Sequence, residues 1–144
     1  MTQELRLTPE SRVLEVGTGS GYQAAVLSHI CARVASIERL EQLHLSAKKR
    51  LERLDIYNVD LRLGDGFLGW EAAAPFDAII LTCAPETMPE TLLSQLRITG
   101  RLVAPVGDQG DRQTLKVFTR VSETRISVST LGLVRFVPML AGTA

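Results

Sequence analysis

The sequence predicts an α/β fold: a mostly parallel, seven-stranded sheet in the order 3-2-1-4-5-6-7, with antiparallel strands at its C-terminal end. Three observations lead there. Strand-length apolar runs alternate with helical periodicities through residue 106, a glycine-rich turn follows the first run, and only six residues separate the fifth run from the sixth. Strands separated by helices argue for a parallel sheet covered on both faces, a three-layer sandwich.

The elements follow in order. Arg12 to Val16 is a short strand ending in glycines, and Tyr22 to Ile30 reads as a helix with Ala25, Val26 and Ile30 on one face. Val34 to Glu38 is the second strand. Leu40, Leu43, Ala47, Leu51 and Leu54 recur at helical spacing, which predicts an amphipathic helix over residues 40–54. Val59 to Leu63, Phe76 to Thr82 and Arg101 to Val106 are the next three strands. A helix from Thr91 to Leu96 follows the breaker Pro89 and is expected to end at Gly100. Residues 107–112 cannot hold a crossover helix but suit a hairpin loop, so Thr114 to Val121 should run antiparallel to the fifth strand. A last extended segment, Ile126 to Met139 with a bend near Gly132, forms the sheet edge.

Composition excludes several classes. Sixteen basic residues balance sixteen acidic ones, so no net field recruits nucleic acid or an anionic membrane. The cluster Lys48-Lys49-Arg50 is flanked by Glu41 and Glu52 and reads as a solvated helix face. No apolar run approaches the ~20 residues of a membrane span, and no signal-peptide pattern opens the chain. Cys31 and Cys83 show no metal-ligand spacing and read as buried thiols in a reducing compartment. A single soluble, cytoplasmic domain spanning residues 1–144, without metal, is expected.

Candidate chemistry gathers where open α/β sheets bind ligands, at the carboxyl ends of the first strands. Glu15-Val16-Gly17-Thr18-Gly19-Ser20-Gly21 is one residue shorter than the dinucleotide fingerprint and lacks the lysine of a phosphate loop. Its glycines allow a sharp turn and close ligand approach. Glu15 suits an ammonium group, such as that of a methionyl moiety. Glu38 ends the second strand 21 residues after Gly17, where a carboxylate accepts both ribose hydroxyls. Asp65 ends the third strand, placed for an adenine amino group while the Gly66 amide meets the ring. Three such groups on three consecutive strands point to S-adenosyl-L-methionine as the cofactor.

These residues carry a family resemblance. Val13 to Leu27, with its Gly-Tyr-Gln-Ala-Ala continuation, resembles the glycine-rich motif of protein-L-isoaspartate O-methyltransferases. Ser36 to Arg39, Gly64 to Gly66, Pro75 to Ile80, Gly100 to Gly107 and Val134 to Pro138 match in the same order. The resemblance implies a class I methyltransferase of Rossmann-like fold. Its cofactor-binding residues would be Glu15, Gly17, Thr18, Gly19, Gly21, Glu38, Arg39, Asp65 and Gly66. It also implies protein repair by methyl transfer to the carboxylate of L-isoaspartyl or D-aspartyl residues in damaged proteins and peptides.

Such a carboxylate is ionised at neutral pH, so alignment and exclusion of water are needed rather than a general base. No catalytic residue is therefore assigned. His29 and His44 read as structural helix residues, Cys83 as a small buried filler rather than a lining residue of the acceptor pocket, and Arg135 as an edge-strand arginine either meeting a peptide carboxylate or solvated. Thr82-Cys83-Ala84-Pro85 stands where methyltransferases of exocyclic base amines carry an Asn/Asp-Pro-Pro-aromatic sequence. The family carries an N-terminal third with a Ser-Gln-Pro-like stretch at the acceptor, whereas eleven residues precede the first strand here and Met1 to Leu7 resembles the end of that segment's last helix. An apolar patch beside the glycine loop, with self-association, is expected in consequence. The alternatives are a non-catalytic or truncated S-adenosylmethionine-binding module and a small-molecule or RNA methyltransferase.

Overall fold

The computed structural model describes residues 1–108 and 111–144. Its elements are β1 (Arg12–Val16), α1 (Tyr22–Ser28), β2 (Arg33–Glu38), α2 (Glu41–Arg53) and β3 (Val59–Leu63), then β4 (Phe76–Leu81), α3 (Glu90–Ser94), β5 (Leu96–Val106), β6 (Gln113–Arg120) and β7 (Ile126–Val134). All seven strands join one sheet in the order β3-β2-β1-β4-β5-β6-β7, as the sequence predicts. β1 through β5 are parallel, and β6 and β7 are antiparallel. β1 pairs with β2 on one side and β4 on the other, so the chain winds first toward β3 and then toward β5. That reversal opens a crevice above the carboxyl end of β1.

Alternate residues of the central strands feed two cores. Leu14, Val16, Ile37, Ile79, Leu81 and Leu102 point to one, closed by α3 and by short 3-10 turns at Gly66–Leu68 and Glu71–Ala73. Val13, Val34, Ala78, Ile80 and Val103 point to the other, closed by Leu27 of α1 and by Leu5 of a 3-10 turn at Thr2–Leu5. That turn is all the structure builds from the expected helix end. α2 buries Ala47 and Leu51, whereas Leu43 and Leu54 are exposed.

Several local expectations are corrected. α1 stops at Ser28 and buries Ala24 and Leu27; Ala25 and Val26 are half-buried and Ile30 lies exposed beyond the helix end. The cause is length: a seven-residue helix turns too little for Ile30 to join its inner face. α3 covers only Glu90–Ser94, and β5 begins at Leu96, which pairs with Phe76. Gly100 therefore ends no helix. It sits inside β5 at a register shift, where a Cβ would come within 3.0 Å of the Asp77 carbonyl oxygen. β7 ends at Val134, and Arg135 follows it, exposed. The bend expected near Gly132 is an irregularity: Leu115 faces Gly132 while Lys116 faces Thr130, leaving Leu131 unpaired. The β5–β6 hairpin stands, although Gln109 and Gly110 of its loop lie outside the described residues. Among the described residues no helix is long and apolar enough to cross a membrane.

The end of α1 lacks a capping glycine, and Asn58 takes over. Its side-chain amide donates to the carbonyl of Ser28 at 2.8 Å, with longer contacts to Cys31 and Ala32. Losing this bond should leave carbonyls of the last turn unsatisfied. Asn58→Ala is expected to lower unfolding free energy by about 1–2 kcal/mol, read from urea denaturation. A value within experimental error of wild type would deny Asn58 that role.

Candidate functional site at the carboxyl edge of the sheet

The switch point holds a cavity of about 430 Å³. Val16, Gly17 and Gly19 form one wall; Glu38, Arg39, Leu40 and Leu43 form a second, running from β2 into α2. Gly64 and Gly66 after β3, with Thr82 and Cys83 after β4, supply a third. Val137 to Leu140 form the fourth, which the sequence reading missed. This strap leaves β7 and bridges Ala84: the Ala84 amide donates to Val137, and the Met139 amide donates back to the Ala84 carbonyl. Met139 is thereby buried in the core beside the cavity. The chain then reaches the start of α2, where Ala144 pairs with the backbone of Arg39 and Glu41.

The glycine loop is pinned from several sides. The amides of Gly17 and Thr18 both donate to the Ile37 carbonyl, at 2.9 and 3.2 Å. The Thr82 hydroxyl donates to the Gly17 carbonyl at 2.6 Å. Arg50 donates to the Ser20 carbonyl, so one of the three residues expected on a solvated face serves the loop. Gly17 has φ +100°, and a Cβ there would sit 2.5 Å from the Thr82 hydroxyl oxygen. Gly21, also at positive φ, packs against Ala47 of α2. At Gly66 a Cβ would meet Val16 at 2.4 Å. Gly19 differs: it lines the cavity at φ +54°, yet a Cβ there meets no protein atom within 4 Å. The space beside it is open to the cavity.

The carboxylates divide by role. Glu38 lies in the cavity wall, its Oε1 accepting from the Gly19 amide at 2.9 Å and its Oε2 from the Leu40 amide at 3.0 Å. Each oxygen retains a lone pair for a further donor. Asp65 caps the 3-10 turn after β3 by accepting from the Phe67 amide at 2.9 Å, and the neighbouring glycines rather than Asp65 form the wall. Arg39 lines the wall, its guanidinium reaching the Gly142 carbonyl at 3.4 Å.

Glu15 and Thr18 are placed outside the cavity wall. Both are buried beneath the loop, where the Ser36 hydroxyl donates to Glu15 Oε1 at 2.6 Å and itself contacts the Thr18 hydroxyl at 2.6 Å. Glu15 Oε2 is buried without a partner among the described residues. Burial pushes the Glu15 carboxyl up to about 7, Ser36 opposing and the Glu38 charge adding to the rise. Cys83 is pushed up to about 12 by burial and then by the charges of Glu38 and Glu15, so its thiol stays protonated. It is only half-buried, in the cavity wall, whereas Cys31 is buried as expected. His44 lies in α2, and His29 caps the end of α1, exposed to solvent.

The raised carboxyl sets a pH dependence whose sign is opposite to the usual one for acidic groups. Folded Glu15 prefers its proton, so ionisation opposes folding: stability rises as pH falls from about 7 toward 4.5 and the cost is full above 7. The shift corresponds to about 3 kcal/mol. Glu15→Gln should therefore flatten stability across this window, with its largest gain over wild type near pH 8. Denaturant titrations at pH 5 and pH 8 check this; parallel curves for the two proteins would refute it.

Comparison with known proteins places the whole arrangement. The family model for protein-L-isoaspartate(D-aspartate) O-methyltransferase matches residues 1–144. The protein-L-isoaspartate O-methyltransferase of Yersinia enterocolitica is 53% identical over 142 residues, covering 99% of this chain and 67% of the relative. A Yersinia pestis relative of the same name is 52% identical over the same share. A solved protein-L-isoaspartate O-methyltransferase superposes with TM-score 0.89 at 32% identity, over 95% of this chain and 44% of that one. A Plasmodium falciparum structure described as a protein-L-isoaspartate O-methyltransferase, in complex with S-adenosyl-L-homocysteine, shares the fold with TM-score 0.78 at 24% identity, over 96% and 70%. The chain thus spans about two thirds of these curated relatives and less than half of the first solved structure. On this match across its full length, the chain belongs to the protein-L-isoaspartate(D-aspartate) O-methyltransferase family.

Proposed function

We propose that the cavity binds S-adenosyl-L-methionine and that residues 1–144 form one domain. This domain would be the donor-binding part of an enzyme that methylates the carboxylate of L-isoaspartyl or D-aspartyl residues in damaged proteins and peptides. The observation that carries the reading is Glu38, which lines the cavity with one oxygen held by the Gly19 amide and the other by the Leu40 amide. A diol bound there would donate to lone pairs already oriented by those bonds. The open Cβ position of Gly19 and the apolar side chains of Leu40, Leu43 and Met139 suit the rest of a nucleoside. When bound, the cofactor supplies a methyl group on an electrophilic sulfonium.

The protein's contribution is positional. Glu38, with the backbone around Gly19 and Gly66, orients the donor, and Asp65 holds the turn that presents Gly66. The strap and Met139 exclude water from one side. Cys83, protonated at neutral pH, offers no competing thiolate nucleophile. No side chain has to take a proton, because the acceptor carboxylate is already ionised.

Partners and location follow the same reading. The balanced charge fits a protein acceptor better than nucleic acid, and two unbridged cysteines fit a reducing cytoplasm. Exposed Leu43, Val137 and Leu140 line the cavity and support self-association or docking of a further segment.

Two measurements test the proposal. Glu38→Ala should weaken S-adenosylmethionine binding by about 1.5–3 kcal/mol in calorimetric titration; wild-type affinity would remove Glu38 from the site. The bare chain should bind the donor yet methylate an isoaspartyl peptide several powers of ten more slowly than a fusion carrying the additional N-terminal segment of a relative. Full turnover by the bare chain would show that it already holds the acceptor unaided, and no donor binding would overturn the reading altogether.

A further inference from the structure

The buried chain of polar groups at the base of the glycine loop lies outside the cavity wall, yet it joins the loop to two strands. Glu15 stands on β1, Ser36 on β2 and Thr18 within the loop, each less than 5% exposed. Glu15 and Ser36 face each other in the strand register, which fixes the first contact, and the shared Ile37 carbonyl holds Thr18 above Ser36. We infer that Ser36 is a positioning residue of the donor site: it transmits the charge state of Glu15 to Thr18 and so sets the loop conformation that the donor meets.

The argument is one of hydrogen counting. A serine hydroxyl has one proton to give and lone pairs to receive. When Glu15 is ionised, Ser36 donates to Glu15 Oε1 and Thr18 donates to Ser36, the chain running downward from the loop. A proton on Glu15 Oε1 reverses it: Glu15 donates to Ser36, Ser36 to Thr18, and the Thr18 hydrogen must turn elsewhere. A proton on Oε2 keeps the direction but strands a buried donor, since Oε2 has no partner. The downward chain therefore belongs to the ionised carboxylate.

The surroundings isolate this switch. Glu38 on β2 and Cys83 after β4 are the titratable groups that act on Glu15, and both disfavour its ionisation or stay neutral. α1 carries no Asp, Glu, Lys or Arg; Glu4 of the N-terminal turn faces Arg101 at 3.7 Å, and Arg50 of α2 is engaged at Ser20. No cation neutralises Glu15 in the free protein among these groups. S-adenosylmethionine carries a net positive charge, so its arrival above the loop favours the ionised form. Donor affinity then rises with pH through the neutral range, and binding releases a proton by linkage.

This inference rests on the proposed donor site, and the test separates the two. S-adenosylmethionine is titrated calorimetrically into wild type, Ser36→Ala and Glu15→Gln at pH 5.5 and 7.5, in two buffers of different ionisation enthalpy. Wild type should bind about tenfold more tightly at pH 7.5 and release protons; Ser36→Ala should bind about tenfold more weakly than wild type at pH 7.5, with little pH dependence. Glu15→Gln keeps an acceptor for Ser36 but cannot ionise, so its affinity should be the same at both pH values and it should release no proton from this site. It also subtracts any titration of the donor's own amine, and it carries the test should Ser36→Ala fail to fold. Wild-type affinity and proton release in either variant would overturn the role of Ser36 and Glu15 while leaving the donor site standing. A wild-type chain that binds no donor at either pH would overturn the site, and this inference with it.

Discussion

The Ile37 carbonyl accepts two successive amides, from Gly17 and Thr18, and the rest of the site is arranged around that shared bond. It ties the turn after β1 to the end of β2, the strand whose next residue is Glu38. Once the turn is held there, Gly19 must come over Glu38, Gly17 must come against Thr82, and α1 must start where Gly21 meets Ala47. Each bond is worth only about 1 kcal/mol net. Their joint effect is geometric, because contacts from β2, α2 and the end of β4 leave a five-residue turn little alternative shape.

Holding the turn in this way has a thermodynamic cost, and Glu15 carries it. An uncharged residue of similar size at that position would spare the desolvation that pushes the carboxyl to about 7. Retaining a buried acid beneath a ligand loop is the pattern of a site whose stability is traded against binding. The buried Ser36 hydroxyl makes that acid tolerable by satisfying one oxygen, while the second has no partner among the described residues.

What could be read in the sequence was whatever depends on length and period. The strand order follows from crossover lengths and from a β5–β6 loop too short for a helix, and Glu38 stands out because it ends a strand. What escaped depends on tertiary contact. Ile126 to Met139 is continuously extended in pattern, and only the pairing of Val137 and Met139 with Ala84 turns its end into a cavity wall. Gly100 looked like a helix stop because proximity of the Asp77 backbone is invisible in a linear pattern. Glu15 and Thr18 were legible as members of the motif, but their inward orientation depends on Ser36, one strand away.

The walls of the cavity also bear on how donor and acceptor functions divide. Every wall residue lies between Val16 and Leu140, drawn from the ends of β1 to β4, the start of α2 and the strap. The N-terminal turn contributes Leu5 to the core that α1 closes, whereas Val16, Ile37 and Met139 of the cavity wall belong to the other core. The N-terminal turn thus contributes no residue to the cavity wall. Alignment of an acceptor needs atoms opposite the methyl group, and near that edge the wall offers mainly Thr82, Cys83 and the exposed face of the strap. Thr82 is already spent on Gly17, and Cys83 stays protonated. A peptide carboxylate would find few hydrogen-bond donors here, so under the proposed function its alignment falls to residues outside the cavity wall.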